Sequence, residues 1–450
     1  MTRNRTLLYI ALGAILVLGL VAIEVIRQTD QHRWTTGSEV ARSQFEDCLD
    51  AMMKLYFGDA VTHCAEAVKA DPDFAVAKLF YARLISHRNP KEAKRLFKQV
   101  RGTDLRRLTP RERFLIEYHL ARHSQDQNLA SQILSDYLSV HPDDPFALNE
   151  RCAELWKEQE MKDAEECYRR VLKIDPNWVE AQNRLGYAAM AQGRFKEAEE
   201  LFDTYRYVAP DQANPHDSLG ELLTLIGRYD EAQRELASAL STRADFCASY
   251  EHWTQLDLLR QRFDDAERRL TEMRRQNDCA KAAESLACSV AVWRAAANGD
   301  WNQAWSAAEQ GCLDRKIGDV FVIGFQAALK LGKSGDAEKV LERVRALEAD
   351  PKLPLTARDT WAAVRNHLEG LEELQDGRNR DAVLSFEKAD QKLRYWSTAG
   401  LGTFKLFNRL SLAEALTRAG RGTQAAAIRK EIAAVNPKIG RSGPARTELP

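Results

Sequence analysis

The chain has 450 residues, with 65 Lys plus Arg against 66 Asp plus Glu, so a net charge of -1 provides no global field to favour nucleic acid or an anionic membrane surface. Hydrophobic content of 44% and charged content of 29% describe an ordered chain and exclude extensive disorder. The eight cysteines form no C-x-x-C pair, which argues against zinc ribbons and thioredoxin-type redox chemistry.

The first element in chain order is the run from Leu7 to Ile26, apolar except for Glu24. Twenty helical residues at ~1.5 Å each match a hydrocarbon core of ~30 Å, so the run reads as one membrane span. The rival reading is a cleaved signal peptide, but the run is longer than a usual signal core and no clear A-x-A site follows it. Arg3 and Arg5 precede the span, while Arg27 and Arg33 follow it amid Glu24 and Asp30; the balance leans toward a short cytoplasmic N-terminus, residues 1–6. Residues 27–39 are polar and read as a linker.

From residue 40 to 437 the pattern is a series of helical hairpins. The first has its turn near Tyr56 to Gly58, the second at Asn89-Pro90, and the third starts at Thr109-Pro110, where Thr109 caps and Pro110 takes the first helical position. Slack in the spacing falls between Arg101 and Leu108. The fourth begins at Pro145; the fifth and sixth turn at Gly193-Arg194-Phe195 and Gly227-Arg228-Tyr229; the seventh is keyed by Arg262-Phe263. Gly299, Gly332, Gly377 and Gly420 mark four more turns, making eleven hairpins, with a loop expected from Ser397 to Gly402. Residues 438–450 read as a disordered tail. Ala198 and Ala232 fall at the expected helix crossings, where overpacking costs about 1 to 3 kcal/mol.

Pro142, Pro176 and Pro210 lie 34 residues apart, and the unit between them carries Leu185-Gly186, Gly193-Arg194-Phe195, Ala198 and Phe202 in helix-turn-helix order. That period and pattern are the signature of tetratricopeptide repeats. The expected fold is therefore all-α, a tetratricopeptide superhelical solenoid of about eleven hairpins preceded by one transmembrane helix. The wording of Leu108-Thr109-Pro110-Arg111-Glu112-Arg113, Pro142-Asp143-Asp144 and Ala209-Pro210-Asp211-Gln212-Ala213-Asn214-Pro215 resembles the C-terminal repeat modules of bacterial membrane-tethered serine/threonine kinases and winged-helix regulators. In those proteins a cytoplasmic output domain precedes the span, whereas here only Met1 to Thr6 do. The resemblance implies a membrane setting for the repeats; it carries over neither kinase nor DNA-binding activity.

No P-loop, dinucleotide, zincin or hydrolase-elbow pattern is present, so no catalytic residue, cofactor or enzymatic activity is expected. His119 and His123 sit four apart on one expected helix and could share a metal, but two histidines without a third ligand more commonly mark a solvated face. The expected functional surface is the concave groove of the first helices, with Asn149, Trp156, Asn183, Arg184, Tyr187, Asp217, Glu221, Glu251 and His252 as candidate partner-binding residues. Their mix of aromatic, amide and charged groups suits a protein or extended peptide, although each could equally belong to a hydrated face. Two functions follow: a single-pass scaffold of the inner membrane organising envelope proteins, or a ligand-sensing module acting on a separately encoded signalling partner.

Residues of two antiparallel helices face one another when equidistant from the turn. Pairing Cys48 with Cys64, Cys152 with Cys167, Cys247 with Cys279, and Cys288 with Cys312 places each midpoint within or beside a turn already assigned, so the expectation is four bridges, each closing one hairpin. Disulfides persist in oxidising compartments, which favours a periplasmic repeat domain. The alternative is that cysteine supplies a small apolar side chain at helix crossings.

Overall fold

A computed structural model describes residues 34–157, 160–276 and 278–441. Among the described residues there are 22 α-helices in eleven consecutive pairs and no strand. The expected span from Leu7 to Ile26 lies outside the described residues, and no described helix is long and apolar enough to cross a membrane. The chain divides into two compact units, Met1–Arg151 and Cys152–Pro450.

The first unit holds α1 (Glu39–Met53), α2 (Phe57–Ala70), α3 (Ala75–Ile85), α4 (Pro90–Arg101), α5 (Pro110–His123), α6 (Gln127–Val140) and the start of α7 (Pro145–Lys157). Its helix starts follow from local chemistry. Asn89 accepts from the Glu92 amide ahead of Pro90, and Thr109 and Glu112 form a reciprocal capping box ahead of α5. The slack between hairpins two and three contains a short 3-10 turn, Leu105–Arg107. Phe45, Phe74, Phe97 and Tyr118 fill the core, all at 2% exposure or less.

The linker expected over residues 27–39 needs correction from residue 34 onward. Trp34 is buried edge-on against Phe45, with ring centres 4.9 Å apart. The Thr35 amide donates to Glu112 at 2.7 Å, and the Thr36 hydroxyl donates to Asp71. A polar stretch with one tryptophan is thus pinned to the first hairpins, because the indole buries large apolar area and two carboxylates satisfy the threonines.

The second unit continues with α8 (Met161–Ile174), α9 (Val179–Ala191), α10 (Phe195–Val208), α11 (Ala213–Leu225), α12 (Tyr229–Thr242), α13 (Cys247–Leu259), α14 (Phe263–Arg274), α15 (Ala280–Ala297) and α16 (Trp301–Ala307). After a π turn and a 3-10 turn come α17 (Gly318–Lys330), α18 (Ser334–Ala349), α19 (Leu355–Gln375), α20 (Asn379–Lys392), α21 (Ala399–Arg418) and α22 (Gly422–Val435). Close crossing within hairpins needs small residues: a Cβ on Gly186 would collide with the ring of Phe202, while Ala198 and Ala232 are fully buried.

All four expected disulfides are formed, with Cα atoms 5.2 to 5.5 Å apart. Two join the two helices of one hairpin, and Cys288–Cys312 ties α15 to the π turn that follows α16. The fourth departs from the expectation, since Cys247 opens α13 and Cys279 is the N-cap residue of α15. It therefore spans all of hairpin seven and staples it to hairpin eight.

The second unit does not end as an open superhelix; its last hairpins return to hairpins five and six. The Trp396 amide donates to the Ala191 carbonyl at 3.0 Å, and its ring meets Phe195 edge-on at 5.6 Å. Asn436 donates to the Leu225 carbonyl at 2.9 Å and to the Tyr229 hydroxyl at 3.3 Å. Gly227, at φ 79°, leaves the space that Asn436 enters.

Two expected loops change accordingly. Thr398 caps α21, so residues 399–402 form its first turn. The expected tail is folded at its start: Ile439 is buried, Ile439–Arg441 is a 3-10 turn, and the Lys438 ammonium lies 5.2 Å from the centre of the Tyr229 ring. Residues 442–450 lie outside the described residues.

Candidate functional site

Closure of the second unit turns its concave face into a cavity of about 1080 Å³. The first helices of hairpins six to eleven (α11, α13, α15, α17, α19 and α21) supply most of the wall. Much of the lining is apolar or aromatic, including Leu258, Trp293, Val322, Trp361, Phe404 and Phe407.

Three polar clusters stand out on the wall. On α11, Glu221 is buried; its Oε2 accepts from the Tyr187 hydroxyl at 2.6 Å and lies 3.6 Å from His252 Nε2. His252 Nδ1 contacts Asp217 Oδ1 at 3.0 Å, and Ser249 donates to the same oxygen at 2.8 Å. Burial alone would lower the His252 pKa, but the carboxylates of Asp217 and Glu221 outweigh it and hold the value up at about 10. His252 is therefore an imidazolium at neutral pH, donating from Nδ1 to Asp217 and ion-paired through Nε2 with Glu221.

The second is Asp319, at the start of α17. It accepts from the Trp293 indole at 2.7 Å, the Ser289 hydroxyl at 3.1 Å and the Val320 amide at 2.9 Å. Burial raises its pKa, against the effect of the donors that favour the ionised form. The third is His367, whose pKa burial lowers to about 4. Asn408 donates to the Phe386 carbonyl, so its oxygen accepts from His367 Nδ1 at 2.9 Å, and the ring is neutral.

Of the nine groove residues singled out in the sequence, Glu221, Glu251 and His252 line the cavity. Tyr187 and Asp217 stand behind them as partners in the same network, and Asn183 accepts from Ser218 at 3.0 Å. Asn149, Trp156 and Arg184 do not line it; the Arg184 guanidinium lies 5.8 Å from the Trp156 ring centre and pairs with Glu180. Asn149 belongs to the first unit and is half-buried. His119 and His123 take separate neighbours, the former 3.1 Å from Arg83 and the latter stacked on Phe97 at 3.8 Å. Among the described residues no group of three or more His, Cys, Asp or Glu could hold a metal ion.

Sequence reasoning missed Trp293, Asp319, Trp361, Phe404 and Phe407. They lie on the first helices of hairpins eight to eleven, where the repeat pattern is loose; extending the first-helix register through the turns at Gly299, Gly332, Gly377 and Gly420 was the signal that could have found them.

Residues 155–222 match the tetratricopeptide repeat family model. No curated protein sequence matches the chain. Among solved structures, a tetratricopeptide repeat protein from Parabacteroides merdae is similar at 15% identity over 60% of this chain and 98% of its own, with a TM-score of 0.42. Human IFIT1, solved as a dimer with m7Gppp-AAAA, is similar at 13% identity over 80% of this chain and 89% of its own, with a TM-score of 0.47. PilF from Pseudomonas aeruginosa is similar at 14% identity over 53% and 91%, with a TM-score of 0.27. The 34-residue period, the stacked helical hairpins and the match over residues 155–222 identify tetratricopeptide repeats in this chain.

Proposed function

We propose that the chain is a membrane-anchored tetratricopeptide scaffold of the bacterial envelope. Leu7 to Ile26 holds it in the inner membrane, the repeats face the periplasm, and the second unit receives an extended segment of a partner protein in its cavity. The carrying observation is that first helices from six consecutive hairpins converge on one space of about 1080 Å³. Such a lining, aliphatic and aromatic residues interspersed with polar and charged ones, suits an inserted segment. The compartment is supported by the four disulfides and the complete use of the eight cysteines in them. A single space of this size also suits a second reading, a ligand-sensing module that regulates a separately encoded signalling partner.

Photo-crosslinking in intact membranes tests the first reading. A crosslinking residue at Gln255, on the cavity wall, should give a discrete protein adduct that disappears when Val322→Trp fills the cavity; one at exposed Lys196 should not. Identical adducts from both positions, or none from Gln255, would contradict the proposal.

A further inference from the structure

Asp319 distinguishes itself among the acidic groups of the cavity wall. Glu221 is answered by His252, and Glu414 by Arg418 and Arg429. Asp319 makes no ion pair among the described residues. Lys316, three positions before Asp319, is exposed and not paired with it. Asp319 is held by neutral donors only, the Ser289 hydroxyl, the Trp293 indole and backbone amides. A partly buried carboxylate with no cationic partner among the described residues favours an arriving cation.

The surroundings of Asp319 also select the kind of cation. Trp293, its indole donor, packs against Phe407 with ring centres 5.9 Å apart, and both rings line the cavity. Trp361 and Phe404 line the same space. Aromatic faces attract organic cations, most strongly where water is excluded, whereas a hydrated metal ion would need more oxygen ligands than this corner supplies.

We propose that the cavity of the second unit is a receptor for an organic cation with an apolar body, its ammonium or guanidinium group held at Asp319 beside Trp293 and Phe407. The proposal rests on the reading of this cavity as an occupied site and adds the chemistry of the occupant. The cation belongs either to a small amine or to a basic side chain of a partner segment; the recognition is the same.

The test uses the full chain in lipid nanodiscs, with empty nanodiscs as the blank, and calorimetric titration of three probes of matched shape: 3-phenylpropylammonium, 3-phenylpropanol and 3-phenylpropionate. The ammonium should bind saturably and about tenfold or more tighter than the carboxylate, with the alcohol between them. Asp319→Asn should remove most of the advantage of the ammonium over the alcohol. Equal affinity for all three, preference for the carboxylate, or no binding of any probe overturns the proposal, and this comparison needs only the unmodified protein should the variant not fold. A Phe-Lys dipeptide amide that displaces the ammonium identifies a partner segment as the source; a dipeptide that does not displace it identifies a small amine, and both results keep the cation site. Failure here together with a persisting adduct at Gln255 would leave the scaffold reading intact and remove only the cation.

Discussion

The carboxylate of Glu221 on α11 accepts a hydrogen bond of 2.8 Å from the backbone amide of Ala399, the first residue of α21 and 178 positions later in the chain. One oxygen of Glu221 thus satisfies an otherwise unpaired amide at a helix start, while the other receives Tyr187 and faces His252. The closure of the second unit and the polar end of its cavity share this side chain.

Removing that carboxylate should open the closure before it unfolds the repeats. Glu221→Ala leaves the Ala399 amide and the Tyr187 hydroxyl without their acceptor and His252 with one carboxylate fewer, a loss of about 3 kcal/mol. Amide hydrogen exchange should rise at the start of α21 while α1 to α6, in the other unit, keep the exchange of the unmodified protein. Unchanged protection at residues 399–402 would show that other contacts alone hold the closure.

A tighter test of packing lies at Gly186. An added methyl would meet the ring of Phe202, itself fully buried, so the hairpin must shift. Gly186→Ala should destabilise the second unit by about 1 to 3 kcal/mol despite the better helix propensity of alanine, measurable as a lower denaturant midpoint. A neutral or stabilising outcome would contradict the crossing geometry.

His252 gives a pH dependence of definite sign. Its pKa is about 10 in the folded chain, above the ordinary 6.5, so its stabilisation is fully present below pH 6.5 and is lost as pH rises toward 10. The stability difference between the unmodified protein and His252→Gln should therefore be largest near neutrality and below, and shrink between pH 7 and 10. A difference that grows over that interval would mean the ring is neutral in the folded state.

Much of the architecture was readable from residue types. Glycines at the turns, such as Gly193 and Gly227 with φ of 75° and 79°, and alanines at the crossings are local requirements of a hairpin. Cys48–Cys64, Cys152–Cys167 and Cys288–Cys312 followed from equal distance to such a turn. Cys247–Cys279 has the expected partners by a different geometry, since it links the starts of two successive first helices. The closure was not readable, because it depends on curvature accumulated over several hairpins, and neither Trp396 nor Asn436 differs locally from a residue that faces solvent. The same holds for the cavity: Glu221 and His252 stood out in clear repeats, whereas Asp319 and Trp361 lie where the pattern fades. Trp34 was missed because its burial depends on the first hairpin core, with no periodic pattern in its own segment.

The central claim, a repeat array on the oxidising side of a membrane, is tested most directly by mass spectrometry of protein alkylated in cells without prior reduction. Four linked peptide pairs are expected, Cys48 with Cys64, Cys152 with Cys167, Cys247 with Cys279 and Cys288 with Cys312, and no labelled thiol. Complete labelling of all eight cysteines in freshly taken material would contradict it.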